Sequence, residues 1–428
     1  MRQERTETDS QATSEATDRV SREPGPGPAL VRKVLSAEKL LLARMLESLG
    51  NPPLRLVLWD GQELGCEGRA PVARVVIRDR GALLKLIANP ELGFGEMYTA
   101  ERIEVEGNLV DCLEAIYRAQ PRAEQGLFGQ GLFAQFNGKW RNGLSGARRN
   151  IQHHYDIGND FYKLWLDREM VYTCAYFPDP ATGLEQAQVA KLDYVCRKLR
   201  LAPGDTVVEA GCGWGALALH MARSYGAYVK AYNISSEQIA YARERARSEG
   251  LQHRVQFIED DYRNLSGEFD AFVSVGMLEH VGTDRYPELG AVIDRSLKAA
   301  GRGLIHSIGR DYPGPMTPWI ERNIFPGACP PSLSQMMQIF EPFGFSVLDV
   351  ENLRLHYART LEHWLARYEA ATARVTEMYD AAFARVWRLY LAGSVAAFKS
   401  GTMQLFQVSF ARSGENRIPW TRQYLYAR

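Results

Sequence analysis

The stretch Val207-Val208-Glu209-Ala210-Gly211-Cys212-Gly213-Trp214-Gly215 decides the fold of this chain. An apolar run begins after the turn residues Pro203-Gly204, an acid follows, and glycines then alternate up to the helix-like segment Ala216–Arg223. A strand, a glycine turn and a helix N-terminus in this order bring backbone N–H groups close to a ligand, because glycine has no Cβ to keep the ligand away. The pattern therefore predicts a ligand-binding βα turn, although a glycine-rich turn that binds nothing has the same local sequence.

The spacing of these glycines distinguishes between classes of nucleotide-containing ligand. The glycines here follow a G-x-G-x-G pattern with an acid two residues before it. This pattern is more typical of an S-adenosylmethionine site than of a dinucleotide site, whose fingerprint is G-x-G-x-x-G. On this interpretation Glu209 lies near the amino-acid end of the ligand, and the glycines let the methionine part lie against the turn.

Length and composition limit the possible classes of protein. The chain has 428 residues, which favours two domains over one. Lys and Arg number 51, as do Asp and Glu, so the net charge of zero gives no indication of a nucleic-acid partner. The six cysteines include no CxxC pair and no clustered histidines, which argues against a disulfide framework and against a metal site and favours reduced, cytoplasmic thiols.

No apolar run approaches the roughly 18 residues needed to span a bilayer, and no signal-peptide-like segment follows the N-terminus. Any contact with a membrane is therefore expected to be made from its surface.

The first 120 residues divide into two predicted parts. Residues 1–28 are rich in Ser, Thr, Glu, Asp and Arg, which predicts a disordered tail. Residues 29–120 predict a small α+β domain that resembles a lipid-pocket or interaction module. Its predicted elements are a helix around Leu40–Leu49, strands at Leu54–Trp59, Val72–Ile77 and Ile103–Glu106, helices at Ala82–Ala88 and Leu109–Arg118, and a loop at Gly93–Met97.

Residues 121–150 form a predicted basic aromatic linker. Between Asn137 and Tyr155 there is no acidic residue, and basic side chains are interleaved with Phe133, Phe136 and Trp140. This composition suits the headgroup region of an anionic leaflet. A solvated interdomain linker is the alternative.

Strands and helices alternate along the next part of the chain, residues 151–412. Alternation predicts parallel strands joined by right-handed crossovers, that is, an α/β doubly wound, Rossmann-like sheet with its ligand at the carboxyl ends of the strands. Beyond Ile308 the pattern is mostly helical up to a last strand at Met403–Phe410, and residues 413–428 form a C-terminal tail. The predicted strands are Asp205–Val208, Val229–Tyr232, Val255–Glu259, Ala271–Val275 and Arg302–Ile308, and the predicted helices between them include Leu184–Leu199, Ser235–Glu249 and Tyr286–Leu297.

Taken together, the motifs between about Ile151 and Arg412 resemble the cyclopropane-fatty-acyl-phospholipid synthase family, the class I S-adenosylmethionine-dependent methyltransferases that include mycolic acid cyclopropane synthases. The motifs that carry this resemblance are Gln152–Tyr162, Tyr172–Phe177, Glu209–Gly215, Ile234-Ser235 with Gln238, Asp261-Tyr262-Arg263, Ser274–Gly282, His306–Gly309, Trp319-Ile320, Ile324-Phe325-Pro326 and Gln404–Phe410. More loosely, residues 29–120 resemble the family's N-terminal domain, which helps it to dimerise and to engage bilayers. The resemblance implies a homodimer in the cytoplasm, peripherally associated with the inner leaflet of the cell membrane, that acts on unsaturated phospholipids.

The resemblance also implies a reaction. The alkene of an acyl chain attacks the S-adenosylmethionine methyl and leaves a carbocation; a base then removes a proton from the delivered methyl, and the cyclopropane ring closes. A bound bicarbonate ion is taken to be that base, and aromatic faces such as those of Tyr176, Phe177 and Tyr357 could stabilise the cation. By position, the residues around the bicarbonate are Cys174, Glu279, His306, Ile308 and Tyr357.

Contacts to the methyl donor carry over in the same way. Asn233 stands where methyltransferases often have an acid and this family usually has threonine, but an amide can also hydrogen-bond a hydroxyl. Ser394 stands where several relatives carry a cysteine, and bicarbonate chemistry does not require that thiol. The implied contact residues are Tyr172 and Thr173 at the entrance; Glu209, Ala210, Gly211, Cys212, Gly213, Trp214 and Gly215 in the loop; Asn233, Ile234, Ser235 and Gln238 around the ribose and methionine part; and Asp261 and Tyr262 around the adenine.

Other interpretations stay open at this point. Each site residue alone has an ordinary structural explanation, such as a cap for Glu279 or a satisfied core histidine for His306. The same first step could end in a methylene- or methyl-branched chain if a neighbouring carbon loses the proton. The chain could also methylate a soluble metabolite, or be a lipid-binding regulatory protein that has lost catalysis.

Overall fold

The N-terminal unit is a small α+β layer structure. The computed structural model describes residues 37–66, 70–119 and 157–426; the predicted tail 1–28, the linker 121–150 and the motif residues Gln152–Tyr155 lie outside them. A four-stranded sheet in the order β2-β1-β3-β4 pairs β1 and β3 in parallel and its other neighbours antiparallel. The elements are α1 (Ala37–Ser48), β1 (Leu54–Leu58), β2 (Glu63–Gly65), β3 (Ala73–Ile77), α2 (Arg80–Ala88), α3 (Pro90–Thr99), β4 (Ile103–Glu106) and α4 (Leu109–Ala119).

The loop predicted at Gly93–Met97 is wrong, because this segment lies inside α3. The Asn89 side chain caps the helix by accepting from the Leu92 N–H at 3.1 Å, and Pro90 occupies the first turn, where its missing N–H costs nothing. The glycines serve close packing instead: a Cβ on Gly95 would lie 2.2 Å from the indole of Trp319.

A seven-stranded sheet in the order β10-β11-β9-β8-β5-β6-β7 forms the second unit. The strands from β9 to β7 are parallel, which confirms the predicted doubly wound α/β fold, and β10 and β11 close one edge antiparallel. Val207 and Val208 belong to separate buried clusters, because successive side chains of β5 face opposite sides of the sheet. The strands are β5 (Thr206–Ala210), β6 (Tyr228–Asn233), β7 (Val255–Glu259), β8 (Phe269–Val275), β9 (Leu297–Gly309), β10 (Phe345–Asn352) and β11 (Gln404–Arg412).

Helices cover both faces of this sheet. They are α5 (Asn159–Tyr162), α6 (Leu184–Lys198), α7 (Ala216–Tyr225), α8 (Ser236–Ser248), α9 (Tyr286–Ser296), α10 (Pro318–Asn323), α11 (Leu333–Phe340), α12 (Arg354–Ala370), α13 (Thr372–Met378) and α14 (Ala381–Ser400). Among the described residues, no helix is both long enough and apolar enough to cross a membrane.

Strand β10 interrupts the region predicted to be mostly helical after Ile308, and sequence reasoning missed it. Its Asp349 and Glu351 are charged where an alternating strand would be apolar, and both carboxylates lie within 4 Å of the buried Lys198 ammonium, at 3.6 and 2.6 Å. The strand is therefore held by β11 and by a lysine distant in sequence rather than by an apolar pattern of its own.

The two units are joined by polar contacts along α14. Arg385 pairs with Glu104 at 2.8 Å, and its Nε donates to the backbone oxygen of Tyr98 at 2.7 Å. Near the same end of α3, Arg322 of α10 pairs with Glu96 at 2.7 Å. The N-terminal unit thus packs against the second unit through α3 and β4, and α4 also contacts α14.

Candidate active site

The loops at the carboxyl ends of β5, β6, β7 and β8 converge on one cavity, as a doubly wound sheet requires. Most of the residues predicted to contact the methyl donor line it. These are Tyr172, Thr173, Glu209, Gly211, Cys212, Gly213, Trp214, Asn233, Ile234, Gln238, Asp261 and Tyr262. The cavity wall does not include Ala210, Gly215 or Ser235: Ala210 is buried in β5, Gly215 precedes α7, and the Ser235 side chain caps α8 by accepting from the Gln238 N–H at 3.4 Å.

The glycine turn is folded tightly onto the end of β6. The N–H groups of Gly211 and Cys212 both donate to the Tyr232 oxygen, at 2.9 and 3.0 Å. Gly211 has a φ of +85° and a Cβ there would lie 2.9 Å from Met277, so only glycine fits without strain. The turn thereby exposes backbone to the cavity, as the glycine spacing predicts.

Asn233 differs from its expected use. Its Nδ2 donates to the Gln238 Oε1 at 2.7 Å and to the Gly213 oxygen at 3.3 Å, while its Oδ1 accepts from the Ile234 N–H at 2.8 Å. Both amide hydrogens are therefore engaged within the protein. Asn233 holds the glycine turn and orients Gln238, and a direct ribose contact would require one of these bonds to open.

Lys191 is a cavity residue that sequence reasoning missed. It is 2% exposed, lies on α6, and its Nζ donates to the Thr173 Oγ1 at 3.0 Å. Because an ammonium can only donate, the Thr173 oxygen accepts from it and keeps its own O–H for another acceptor. A sequence signal could have identified it. Lys191 follows Leu184 by seven residues and Ala187 by four, which places the lysine on the buried face of the helix.

Glu209 and Lys191 place an ionisable acid and an ionisable amine on the wall of the same cavity. Burial raises the pKa of Glu209 to about 8, against the opposing effect of Lys191, and burial lowers the pKa of Lys191 to about 8. The Oε2 of Glu209 is buried and has no hydrogen-bond partner. A zwitterionic ligand end, with one ammonium and one carboxylate, complements this pair.

At the opposite end, Asp261 is held in place by Arg263. The guanidinium binds both carboxylate oxygens, at 2.7 and 2.8 Å, and the backbone N–H of Arg263 donates to Oδ1 at 3.0 Å. This bidentate geometry fixes the carboxylate at the cavity wall. Oδ1 accepts two hydrogen bonds and Oδ2 accepts one, so Oδ2 retains a lone pair for a further donor. Tyr262 lies beside it, and burial raises the pKa of its hydroxyl.

A second polar cluster is buried beside the cavity, around the end of β9. The Oε1 of Glu279 accepts from the Ile308 N–H at 2.6 Å, while its Oε2 is buried without a partner. Burial raises the pKa of Glu279 to about 7. This carboxyl is thus poised between its two protonation states near neutral pH.

His306 contributes a donor to the same cluster. Burial lowers its pKa, so the ring is neutral, and its Nδ1 lies 3.0 Å from the amide nitrogen of Gln407 on β11. An amide nitrogen can only donate, so Nδ1 accepts and the ring proton sits on Nε2. That Nε2 is buried and has no hydrogen-bond partner.

Cys174 and Tyr357 lie with Leu353 in a buried apolar cluster against which Ile308 packs. The Leu353 oxygen accepts from the Tyr357 N–H at 3.1 Å and lies 4.0 Å from the Cys174 sulfur. Leu353 in turn donates to Leu405, which pairs with Ile308 across β9 and β11. Burial raises the pKa of Cys174 well above its ordinary value, so this residue stays a thiol.

The aromatic faces expected to stabilise a cation are only partly available. Tyr176 stacks on Tyr194 at 4.3 Å and on His356 at 4.9 Å, so its ring faces are occupied by protein. Phe177 stacks on His363 at 5.7 Å. Stacking partners distant in sequence therefore cover the ring of Tyr176 and leave it little free face for a cation, whereas the role of Phe177 stays a prediction.

Comparisons with known proteins can be set beside this geometry. Residues 144–408 match the family described as mycolic acid cyclopropane synthetase, and residues 41–125 match a family described as a domain of unknown function (DUF7884). The chain is 36% identical over 397 residues to the probable fatty acid methyltransferase of Pseudomonas putida, covering 89% of this chain and 98% of that protein.

Two further relatives align with the catalytic unit. The cyclopropane-fatty-acyl-phospholipid synthase of Escherichia coli strain K12 is 44% identical over 266 residues, covering 62% of this chain and 68% of that protein. The solved mycolic acid cyclopropane synthase CmaA1, complexed with SAH and CTAB, superimposes with a TM-score of 0.59 at 30% identity, covering 61% of this chain and 97% of that one. These matches show that the chain belongs to the mycolic acid cyclopropane synthetase family of S-adenosylmethionine-dependent methyltransferases.

Proposed function

We propose that this enzyme transfers a methylene from S-adenosylmethionine to the cis double bond of unsaturated phospholipid acyl chains, forming a cyclopropane ring. One observation carries the proposal: the methyl-donor cavity and the buried polar cluster share a wall. Thr173 and His280 line the cavity, while their chain neighbours Cys174 and Glu279 belong to the cluster. A methyl delivered at this wall therefore lies beside groups that can handle a proton.

The cluster suits a small anion. His306 offers a buried N–H without a partner, and Glu279 offers a buried oxygen without one, which can share a proton with the ion. Cys174, Ile308 and Tyr357 complete the residues that would hold it. Bicarbonate, when bound, supplies the base for the delivered methyl. The residues themselves exclude water, which would otherwise trap a carbocation.

The same proposal includes how the enzyme meets its substrate. Residues 29–120 act as a lipid and dimerisation domain, residues 151–412 as the catalytic domain, and the basic aromatic linker 121–150 attaches the homodimer to the inner leaflet from the cytoplasm. The linker composition supports this arrangement.

A second candidate is the same methyl transfer that ends in a methylene- or methyl-branched acyl chain. It is favoured by the relative named a probable fatty acid methyltransferase, which aligns over 98% of its length. The outcomes share the carbocation and the release of one proton. Loss from the delivered methyl with ring closure gives the cyclopropane, loss from a neighbouring chain carbon gives a methyl-branched alkene, and loss from the methyl after a 1,2-hydride shift gives the methylene-branched chain.

Mass spectrometry of acyl chains tests the proposal. Purified protein is incubated with S-adenosylmethionine, bicarbonate and vesicles of a cis-unsaturated phospholipid. A gain of one CH₂ with no remaining double bond supports the cyclopropane synthase, and the same gain with an alkene retained identifies the branching enzyme. No gain despite S-adenosylmethionine binding would contradict both and direct the search to soluble acceptors.

A further inference from the structure

Arg310 follows directly on the strand that carries the buried polar cluster. Residues 306, 308 and 310 lie on one face because strand side chains alternate. The Arg310 N–H donates to the Pro331 oxygen at 2.8 Å, which extends the strand pairing beyond Gly309. From residue 306 to residue 310 the face runs roughly 13 Å at the usual strand rise. Arg310 thus lies on the strand face that carries His306 and Ile308, one residue beyond the end of β9.

The Arg310 guanidinium lacks the partner that a half-buried cation normally has. Within residues 37–66, 70–119 and 157–426, no carboxylate lies within 4 Å of it. Its Nε is buried without a hydrogen-bond partner, and its Nη2 has only the Met316 sulfur at 3.9 Å. Burial lowers the pKa of this group, although a guanidinium stays charged at physiological pH. A desolvated positive charge of this kind is costly unless an anion meets it.

The guanidinium lies within electrostatic range of the N-terminal unit. Glu91 of α3 is close enough for the charge of Arg310 to lower the pKa of Glu91, although burial raises this pKa by more. The two side chains are nevertheless too far apart to form an ion pair. On the other side, a Cβ on Gly314 would come 3.1 Å from the Arg310 Nη1. The loop that follows β9 therefore approaches the guanidinium at Gly314, where a larger side chain would crowd Nη1.

We propose that Arg310 binds the phosphate group of the lipid substrate while the acyl chain runs past Ile308 to the buried cluster. The inference rests on the proposed function and names the headgroup chemistry that the site recognises. A guanidinium suits this role because its planar fork can donate two parallel hydrogen bonds to phosphate oxygens. Free inorganic phosphate has the same chemistry and would compete for the site.

The experiment compares two substrates in Arg310→Gln, Arg310→Lys and the wild type. Vesicles of a dioleoyl phosphatidylglycerol present the phosphate, and dioleoylglycerol in neutral detergent lacks it. Arg322→Gln is the matched control, because Arg322 lies on neighbouring α10 but is 63% exposed in its side chain and pairs with Glu96. The readout is the ratio of kcat/KM for the phospholipid to kcat/KM for dioleoylglycerol.

We expect Arg310→Gln to lower this ratio by about 10- to 100-fold, the loss typical of a hydrogen bond to a charged group. Arg310→Lys should lower it less, Arg322→Gln should leave it unchanged, and inorganic phosphate should inhibit the wild type on the phospholipid but not Arg310→Gln. Equal losses on both substrates would overturn the inference in favour of a purely structural arginine. A wild type that binds S-adenosylmethionine but methylates neither substrate would overturn the proposed function itself.

Discussion

Replacing Glu279 by glutamine separates the two roles of this buried carboxyl. The glutamine oxygen can still accept from the Ile308 N–H, which now donates to Glu279 at 2.6 Å. The amide cannot ionise or share a proton at the position of Oε2, which is buried without a partner. We therefore expect the methyl-transfer rate to fall at least about 100-fold, the lower end of the range for a lost acid–base group. S-adenosylmethionine affinity should change by no more than about threefold.

The same substitution should remove a pH dependence of the wild-type stability. Burial raises the pKa of Glu279 from 4.5 to about 7 in the folded state, so folding favours the protonated form. Stability contributed by this group is complete below the unfolded pKa and is lost as pH rises through the folded pKa. Between pH 5 and pH 8.5 the loss amounts to roughly 2–3 kcal/mol of unfolding free energy in the wild type and to none in Glu279→Gln.

Urea unfolding of both proteins at the two pH values measures this difference. Any pH-independent cost of the new amide cancels, because only the change between pH 5 and pH 8.5 is compared. Glu244→Gln is the control for the loss of an exposed carboxylate, because Glu244 is 70% exposed in its side chain and pairs with Arg247 at the surface. If the stability difference between the wild type and Glu279→Gln is the same at both pH values, the raised pKa of Glu279 is contradicted. If the activity of Glu279→Gln stays within about tenfold of the wild type, its role in the reaction is contradicted.

Two further predictions follow from residues outside the cluster. Lys191→Met should weaken S-adenosylmethionine binding by about 10- to 100-fold in calorimetric titration, because the Thr173 hydroxyl loses the charged donor that orients it. Lys198→Met is the control: Lys198 is on the same helix but pairs with Glu351, so the folded variant should bind S-adenosylmethionine with unchanged affinity. Gly95→Ala should destabilise the protein by about 1–3 kcal/mol in urea unfolding, since its Cβ would lie 2.2 Å from Trp319. Gly393→Ala, where the nearest atom is 3.7 Å away, should be neutral or stabilising by up to about 1 kcal/mol, and equal effects of the two changes would contradict the packing argument.

Features that depend on the conformation of a few neighbouring residues could be predicted from the sequence. The glycine turn at Gly211–Gly215 and the strand Val255–Glu259 follow from backbone freedom and side-chain alternation, and the structure confirms both. The convergence of the loops on one cavity follows from the parallel order of the strands. The assignment of Cys174 and Tyr357 to a shared cluster came from a resemblance, because nothing in their own neighbourhood indicates it.

Only the tertiary structure decided the rest. The role of Gly95 inside α3 depends on Trp319, more than 200 residues later, whose indole packs where a Cβ would be. The ring of Tyr176 is covered by partners from two other helices, and the cavity position of Lys191 depends on how α6 packs against the sheet. Local sequence patterns predict backbone conformation and burial. Whether a ring face, an ammonium or a carboxylate is free to contact a ligand depends on which side chains distant in sequence pack against it.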